Sequence, residues 1–483
     1  MAERTQRLPV TEKVGYALGD TAANFIFQTM VMFQLVFYTD TFGITAAAAG
    51  TLLLAVRFWD AIFDPIMGVV ADRTSTRWGK FRPWVLWTAI PFGVMGFLTF
   101  MTPELGATGK LVYAYVTYIL LMTVYSANNL PYSALSGVMT GDLAERTSLS
   151  QYRFVFAMLA QLVIQGLALP MVVHFGHGDT ALGYKVTMAI FSALAVILFV
   201  ITFATTKERI QPPKEQRATV AQHFGDLARN GPWLAMFALT LVLFITLAMR
   251  GSDVLYYFKY YVSPDAVAAT VATLPAALKK VLGATDPTTL AFSLFNVLGT
   301  TATIVGIFFS KGLATRFGKR NVFIAGLFGT AVFCLPFMVV PPAGIGVMFA
   351  SEILRQFVYG FTIPLLWAMM ADVADFSEWK NHRRATGIVF AAIVFALKAG
   401  LGFGGAITGW VLSLYGYVPN AAQTARALDG IRLTMSLFPA ITFALCAVIL
   451  FFYRIDKQAE IRITDELAAR RKALVEPAVL ATS

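Results

Sequence analysis

Two aspartates lie four residues apart in an otherwise apolar stretch, "FWDAIFDPIMGVV", which begins at Phe58. On a helix, Asp60 and Asp64 would share one face, with their Cβ atoms about 5–6 Å apart. At an effective dielectric constant of about 20, two charges ~6 Å apart repel by roughly 2.8 kcal/mol, or about two pKa units. Either one carboxyl therefore holds a proton, or a cation lies between the two. Both states suit a transporter in which occupancy by an ion sets the local charge.

Arg57, one turn earlier on the same helix, offers a second explanation of the pair. An arginine–aspartate pair there would only steady the helix, but it would account for one aspartate and not for both. Pro65 follows directly, removes a backbone hydrogen bond and can kink the helix beside the pair. We therefore predict a cation site at Asp60 and Asp64, with Na+ as the only metal ion and with no cofactor.

Other charged side chains in apolar segments indicate a shared cavity. Lys398 is the only charge in "IVFALKAGLGFGGAITG". A buried ammonium needs a carboxylate partner, and Asp60 or Asp64 is the natural candidate; the alternative is a lysine that reaches the membrane interface. In "YALGDTAANF", Asp20 and Asn24 are again four residues apart and can present hydrogen-bonding groups to one cavity.

The segment "TVYSANNLPYSAL", which begins at Thr123, is unusually polar for an apolar region and contains a proline. Amide groups pair with hydroxyls, and aromatic rings can face a sugar ring, so this composition suits a polyhydroxylated ligand. The candidates are the polar residues Ser126, Asn128 and Asn129 and the aromatic residues Tyr125, Tyr132 and Trp59.

The elements that must position these residues are transmembrane helices. Of the 483 residues, 57% are hydrophobic and 13% are charged, whereas a soluble domain carries about 25% charged residues. Apolar stretches of roughly 20 residues recur along the chain, and each is long enough to cross a bilayer as a helix. We predict an all-α membrane protein with twelve transmembrane helices in two six-helix bundles. The approximate bounds are 14–42, 47–71, 83–103, 110–138, 150–175, 183–206, 232–262, 290–313, 321–340, 344–371, 385–414 and 431–453.

The net charge of +11 does not indicate nucleic acid, because the basic residues alternate between loops instead of forming one patch. Most of them fall in the N-terminal segment, the even-numbered loops and the C-terminal tail, which predicts that both termini are cytoplasmic. The two cysteines lie in apolar runs and indicate neither a disulfide framework nor a metal site. No Walker motif or nucleophile–base arrangement is present, so we predict neither an ATP-driven pump nor an enzyme.

An internal repeat divides the chain near its midpoint. "TRWGKFRPWVL" begins at Thr76 and "TRFGKRNVFIA" at Thr315, each after the second predicted helix of its half. Parallel six-helix repeats with a substrate site between them are typical of the major facilitator architecture. We predict an N-terminal bundle (1–206), a cytoplasmic middle loop (207–231), a C-terminal bundle (232–454) and a cytoplasmic tail (455–483).

Four features together resemble the glycoside–pentoside–hexuronide:cation symporters, the melibiose-carrier family of the major facilitator superfamily. They are "RFWDAIFDPIMGVVADRTSTRWGKFRPW", "NNLPYSAL", "ADVADFSEWK" and Lys398, and the resemblance covers essentially the whole chain. It implies that Asp60 and Asp64 bind the coupling cation, Na+, Li+ or H+. It also implies that Ser126 contributes to this site and that Lys398 lies between the cation and sugar regions.

On the sugar side, the chain departs from the melibiose carrier. The resemblance places neutral Asn24 and Asn129 where that carrier uses acids, and Tyr132 where it uses a tryptophan. Arg153 matches an arginine that contacts sugar. We therefore expect a glycoside other than melibiose, a pentose or a uronide, with Arg153 as the carboxylate partner of a uronide. The predicted substrate-binding residues are Asp20, Asn24, Tyr125, Asn129, Tyr132 and Arg153.

The charged loop after the second helix admits two interpretations. Its charges, matched by "ADVADFSEWKNHRR" at 371–384, form a network that closes the cytoplasmic side, or they serve membrane topology alone. The predicted gating residues are Asp72, Arg77, Lys80 and Arg82.

We expect a monomeric, multi-pass protein of the bacterial inner membrane, surrounded by lipid, that couples entry of Na+ or H+ to sugar uptake by alternating access. Two alternatives stay open at this point. One is a cation-coupled transporter of a lysolipid or another amphiphile, which a uniformly apolar cavity would favour. The other is a sensor on the same fold that transports nothing.

Overall fold

The computed structural model of the protein describes residues 7–140, 142–210, 230–275, 286–381, 386–463, 465–467 and 469. Most of the predicted middle loop, much of the tail and parts of the loops at 263–289 and 371–384 lie outside the described residues. Within them the chain is almost entirely helical, and the one β feature is an isolated bridge between Thr76 and Gly79.

The helices follow the predicted order. In the first half of the chain they are α1 (Val10–Val36), α2 (Ala46–Arg73), α3 (Arg82–Trp87), α4 (Ala89–Thr99), α5 (Ala107–Met139), α6 (Leu143–Gly176) and α7 (Thr180–Thr205). In the second half they are α8 (Gly231–Tyr256), α9 (Pro264–Ala272), α10 (Pro287–Phe317), α11 (Lys319–Cys334), α12 (Pro336–Val339), α13 (Ile345–Gly360), α14 (Thr362–Asn381), α15 (Thr386–Leu414), α16 (Ala425–Met435) and α17 (Leu437–Ile449).

The predicted fold class is confirmed. In the described part of the chain, 11 helical stretches are long and apolar enough to cross a membrane. The third predicted span is also helical, but it breaks at Thr88 into α3 and α4, so neither piece is long enough by itself. The Thr88 hydroxyl donates to the Trp84 carbonyl at 2.6 Å, a side-chain bond of the kind that bends helices.

The first helix of each half ends in the same unusual way. α1 continues into a π-helical turn at Phe37–Phe42, and α8 continues into one at Tyr257–Tyr261. π-helical turns are rare and are frequently found at functional sites. The ends of α1 and α8 are therefore candidate functional regions. The sequence predicts that both ends face outward. We call these ends the outer ends.

The chain divides into two compact units. The first contains residues 1–215, 251–297 and 405–431, and the second contains 216–250, 298–404 and 432–483. In the first unit, α1 packs against α6 and α7, and α2 packs against α5. In the second unit, α11 packs against α13 and α17. The domain bounds that we predict from the sequence repeat stay a prediction.

Candidate transport site

The aspartate pair lies on α2 in the first unit. Asp60 is fully buried, and its Oδ2 atom lies 3.2 Å from Nη1 of Arg57, which is also buried. Asp64, one turn further along α2, is half-buried. The Arg57–Asp60 ion pair, which the sequence offers as an explanation of one of the two aspartates, is therefore present. Together the three side chains carry one positive and two negative formal charges, so their sum is that of a single carboxylate.

Ser126, the third predicted cation ligand, lies on α5, the helix that packs against α2. Its side chain is fully buried, and its Oγ atom makes no hydrogen bond within the described part of the chain. A buried hydroxyl in this state costs about 1–3 kcal/mol. A hydroxyl that accepts from a water or coordinates a cation would recover that free energy.

Two of the predicted sugar-binding residues form an ion pair. Arg153 on α6 donates from Nη2 to Oδ1 of Asp20 on α1 at 3.3 Å. About a third of the Arg153 side chain stays accessible, against 13% of the Asp20 side chain. Since a guanidinium has five N–H donors, one bond to Asp20 leaves further donors for a solute hydroxyl or carboxylate.

Tyr132 lies beneath this ion pair and is fully buried. The Arg153 guanidinium stands over its ring at 5.4 Å from the centroid. The ring stacks on Tyr16 at 4.7 Å, and its hydroxyl donates to the Tyr16 carbonyl oxygen at 2.7 Å. Tyr132 therefore supports Arg153 from below. The sequence analysis did not single out Tyr16, because its partner lies on another helix.

Tyr125 is near both sites. Its ring stacks on Phe27 at 5.2 Å. It lies close enough to interact electrostatically with Arg57 of the cation region and with Asp20 and Arg153 of the sugar region. In the first unit it therefore lies near charged residues of both predicted sites.

The two predicted asparagines differ in their surroundings. Asn24 donates from Nδ2 to the Asp20 carbonyl oxygen at 2.8 Å, a bond within α1. Asn129 is half-buried. Its neighbour Asn128 is buried and donates from Nδ2 to Oγ1 of Thr88 at 2.7 Å, which ties α5 to the break between α3 and α4. Asn128 thus has a structural partner.

Lys398 lies on α15 in the second unit and is half-buried. The glycines that follow let α15 approach α8 closely. A Cβ atom at Gly404 would stand 2.4 Å from the Ile245 carbonyl oxygen, and one at Gly400 would stand 2.7 Å from that of Leu241. The predicted coupling of Lys398 to the aspartate pair stays a prediction.

The predicted gating loop of the first half is a compact charged structure. Lys80 Nζ lies 2.8 Å from Asp72 Oδ1. Arg82 donates from Nε to the Phe203 carbonyl oxygen at 2.8 Å. The Arg77 guanidinium stands over the ring of Trp78. These contacts hold the loop between α2 and α3, but whether they open during transport stays a prediction.

Glu208, a residue that no sequence pattern indicated, organises this loop. The Glu208 carboxylate, after α7, accepts hydrogen bonds from the backbone N–H groups of Lys80, Phe81 and Arg82 at 2.7–2.8 Å. The adjacent Gly79 has a φ of +113°, and a Cβ atom there would stand 2.4 Å from Glu208. Only glycine combines this backbone conformation with such a close carboxylate.

The second copy of the motif has different partners. Gly318 also has a positive φ, +82°. The following Lys319 lies 2.8 Å from Asp372 of α14 and 2.8 Å from Glu460 of the tail. Asp372 belongs to the segment "ADVADFSEWKNHRR" that we predict to match the first loop. The contribution of the tail was not predicted.

A polar cluster at the outer end of the first unit was also missed. Its centre is the buried carboxylate of Asp40, in the π-helical turn after α1. Lys259 Nζ lies 2.5 Å from Asp40 Oδ2, and the Tyr260 and Tyr417 hydroxyls donate to the same carboxylate. Asn420 donates to the Asp40 backbone carbonyl at 2.6 Å. We call these five residues the Asp40 cluster.

Comparison with known proteins decides the family. The family model described as "MFS/sugar transport protein" matches residues 15–286 and 279–457. The chain belongs to this family. The resemblance to glycoside–pentoside–hexuronide:cation symporters that the sequence predicts is thereby confirmed, and the protein is a membrane transporter and not an enzyme.

Curated relatives agree along nearly the whole chain. The chain is 35% identical to "Inner membrane symporter YicJ" of Escherichia coli (strain K12), over 92% of each protein. It is 35% identical to the "Isoprimeverose transporter" of Lactiplantibacillus pentosus, over 93% of this chain and 90% of that protein. The solved D-xylose–proton symporter superposes with a TM-score of 0.54 at 16% identity over 92% of this chain and 96% of that one, which shows the same fold.

Proposed function

We propose that this protein is a symporter that takes up a sugar or glycoside at the expense of a Na+ or H+ gradient. The observation that carries the proposal is the charge arrangement on α2. Arg57 is paired with Asp60, and Asp64 follows one turn later. Carboxylate oxygens at these positions can coordinate a monovalent cation or hold a proton. The relatives described as symporters and as an isoprimeverose transporter support coupling of a cation to a sugar.

The coupling ion would occupy the space between Asp60 and Asp64, with the Ser126 hydroxyl as a third oxygen ligand. An ion there relieves the repulsion between the two carboxylates, which is worth roughly 2.8 kcal/mol at ~6 Å. The oxygen donors suit Na+, and the carboxylates alone suit H+. Lys398 completes the proposed site as the positive charge that the ion displaces.

The solute would bind at the Asp20–Arg153 pair. A carboxylate and a guanidinium side by side can accept from and donate to neighbouring sugar hydroxyls at the same time. Asn24, Asn129 and Tyr125 supply further polar groups. This polar lining argues against the amphiphile alternative, which requires an apolar cavity.

Binding of ion and solute would be linked in both directions. If an occupied cation site raises sugar affinity, bound sugar raises cation affinity by the same factor. Tyr125, which interacts electrostatically with charges of both sites, is the proposed link. A sensor without transport would have no need of this linkage.

The proposal includes the arrangement in the cell. Both termini would face the cytoplasm of a bacterium, and the monomer in its lipid bilayer would be the working unit. The bundles 1–206 and 232–454 would alternate around the site, and the loop 207–231 and the tail 455–483 would lie in the cytoplasm. Asp72, Arg77, Lys80 and Arg82 would close the cytoplasmic side.

Uptake into membrane vesicles tests this function. Xylose, methyl xyloside, isoprimeverose, glucose and glucuronate are offered in turn, with a Na+ gradient or a proton gradient imposed separately. Accumulation of one of these solutes above its outside concentration, dependent on one of the two gradients, is the expected result. Equilibration without accumulation under both gradients would contradict symport.

A further inference from the structure

A cavity of about 360 Å³ lies at the outer end of the first unit, apart from the α2 aspartates. The ends of α1, α6 and α8 and the beginnings of α7 and α10 surround it. Its volume lies in the range of small-molecule sites, about 300–1,000 Å³. The lining combines apolar residues, among them Val36, Leu169, Val172 and Leu255, with the polar and aromatic residues Asp40, Asp179, Tyr184, Lys259, Asp286 and Thr289.

Two of its aspartates are held rigidly by helix starts. Asp179 Oδ1 accepts from the backbone N–H groups of Ala181 and Leu182 at 2.9 and 3.2 Å. Asp286 Oδ2 accepts from the Thr289 N–H at 2.8 Å. Because these bonds fix the carboxylates, their orientation in the cavity is set before any ligand arrives. Such preorganisation lowers the entropy lost on binding.

Asp40 and Lys259 belong both to the cavity lining and to the Asp40 cluster. The phenol donors of the cluster, Tyr260 and Tyr417, are not part of the lining. Asp40 therefore belongs to the wall of the cavity while its carboxylate accepts hydrogen bonds from phenols outside the lining. Sugar hydroxyls are donors of the same kind as these phenols.

The composition of the lining selects a class of ligand. Its three carboxylates and one ammonium give an excess of negative charge, which disfavours an anionic solute such as a uronate. The carboxylates can accept hydrogen bonds from vicinal hydroxyls, and the apolar side chains of Val36, Leu169 and Val172 can contact the C–H groups of a sugar. The cavity therefore fits a neutral, polyhydroxylated solute.

We propose that this cavity is a docking site at which a neutral sugar binds before it reaches the Asp20–Arg153 pair. Hydroxyls of the docked sugar donate to the carboxylates of the lining from the cavity side. The proposal rests on the proposed function in taking the solute to be a sugar and in taking the ends of α1 and α8 to face outward. It adds a second binding site, on the outer side, that neither the aspartate pair nor the Asp20–Arg153 pair provides.

Cysteine labelling tests the docking site. Val173 lines the cavity and is half-buried, whereas its neighbour His174 is exposed and does not line it. Cys334 and Cys446 are buried and present no accessible thiol. Val173→Cys and His174→Cys are each treated from outside with a membrane-impermeant maleimide. The labelling rate is measured at a low (~2 mM) and at a 50-fold higher (~100 mM) concentration of xylose, methyl xyloside or glucuronate.

We expect the neutral sugars to slow labelling of Val173→Cys at least about five-fold while leaving His174→Cys unchanged, and glucuronate to protect neither. Uptake by the wild-type protein is measured beside it. Uptake without protection of Val173→Cys overturns the docking site and leaves the symporter intact. Equal protection of both cysteines overturns it as well, because a remote conformational change would act on both. Absence of both uptake and protection removes both proposals.

A second variant guards against a labelling artefact. Val173→Phe fills part of the cavity, and His174→Phe is its matched control outside it. Val173→Phe should raise the outside sugar concentration that gives half-maximal uptake about ten-fold, while the maximal rate of uptake stays the same. The inside sugar concentration that gives half-maximal efflux should also stay the same. Equal changes on both sides, or none, would contradict the docking site.

Discussion

Arg57 Nη1 and Asp60 Oδ2 lie 3.2 Å apart in the buried interior of the first unit, one helical turn before Asp64. Asp60, one of the two carboxylates of the predicted cation site, therefore has a buried positive partner. Breaking such a buried pair from one side is strongly destabilising, by about 3–5 kcal/mol, because the other charge stays buried.

This pair predicts a rescue in a double variant. Arg57→Met and Asp60→Asn should each lower the thermal stability of the purified protein, since each strands one buried charge. The double variant Arg57→Met/Asp60→Asn should recover most of that loss, because neither charge remains. The stability of each variant is measured by thermal unfolding in detergent. If the losses of the two single variants add up in the double variant, the two side chains do not stabilise each other.

Substitution of Arg153 should change the affinity for the solute and not the affinity for the cation. Arg153→Lys keeps the positive charge beside Asp20 but loses the planar fork of donors. We expect the solute concentration at half-maximal uptake to rise about ten-fold, equivalent to ~1.4 kcal/mol. The cation concentration at half-maximal uptake, measured at saturating solute, should change less than two-fold. A change confined to the cation dependence would remove Arg153 from the solute site.

Tyr132 should act through packing. Tyr132→Phe keeps the ring beneath Arg153 and deletes the hydroxyl that donates to Tyr16. The free energy of unfolding should fall by about 1 kcal/mol, and the solute half-saturation should stay within two-fold of the wild-type value. Tyr132→Leu, which also removes the ring, should weaken solute uptake. Loss of affinity in Tyr132→Phe would instead indicate direct contact of the hydroxyl with solute.

Tyr125 should set the linkage between ion and solute. In the wild type, the solute half-saturation should fall as the coupling cation is raised. Tyr125→Phe should flatten this dependence, because it removes the polar hydroxyl that lies near the charges of both sites. Uptake titrations at several cation concentrations measure the effect. An unchanged slope would mean that the linkage runs through other residues. Tyr115→Phe, on the same helix α5, serves as the control.

The Asp40 cluster should keep its hydrogen bonds at alkaline pH. Burial raises the pKa of the Tyr417 phenol above its ordinary value, with further contributions from Tyr256 and Asp40. A raised phenol pKa means that Tyr417 stays a neutral hydrogen-bond donor in the folded protein. Its contribution to stability begins to fall only when the pH rises above about 10, the pKa of a tyrosine in the unfolded chain. Tyr417→Phe should weaken the cluster by about 1.5–3 kcal/mol.

Labelling of a cysteine at the cluster measures this directly. The reaction rate of Thr41→Cys, at a half-buried position next to Asp40, with an impermeant maleimide should be constant between about pH 7 and 9 after correction for thiol ionisation. Adding Tyr417→Phe should accelerate it at every pH. A steep rise below pH 9 in the protein that retains Tyr417 would show that its phenol does not hold the cluster closed.

Features that depend on local spacing could be predicted from the sequence, and contacts between distant segments could not. The i, i+4 positions of Asp60 and Asp64 follow from one helix, and the order of helices follows from apolar lengths. Glu208 lies more than 120 residues from the loop that it organises, and nothing in its own surroundings indicates that role. Asp40 resembled an ordinary charge at a helix end.

Partner choice also depended on geometry that the sequence does not encode locally. Tyr132 was expected beside the sugar, and the structure shows it stacked under Arg153 because the facing residue on α1 is an aromatic ring, Tyr16. Its role as a solute contact stays a prediction. The π-helical turns that place Asp40 and Lys259 at the outer end have no recognised sequence signature.

An ion that binds the α2 aspartates is proposed to drive accumulation of solute. The most direct measurement compares the accumulation ratio in vesicles for wild type, Asp64→Asn and Asp265→Asn, which alters an exposed aspartate at the start of α9. Solute exchange across the membrane without a gradient confirms that each variant is folded. We predict that Asp64→Asn exchanges solute but accumulates none, while Asp265→Asn matches the wild type. Wild-type accumulation by Asp64→Asn under the same cation gradient would contradict the account.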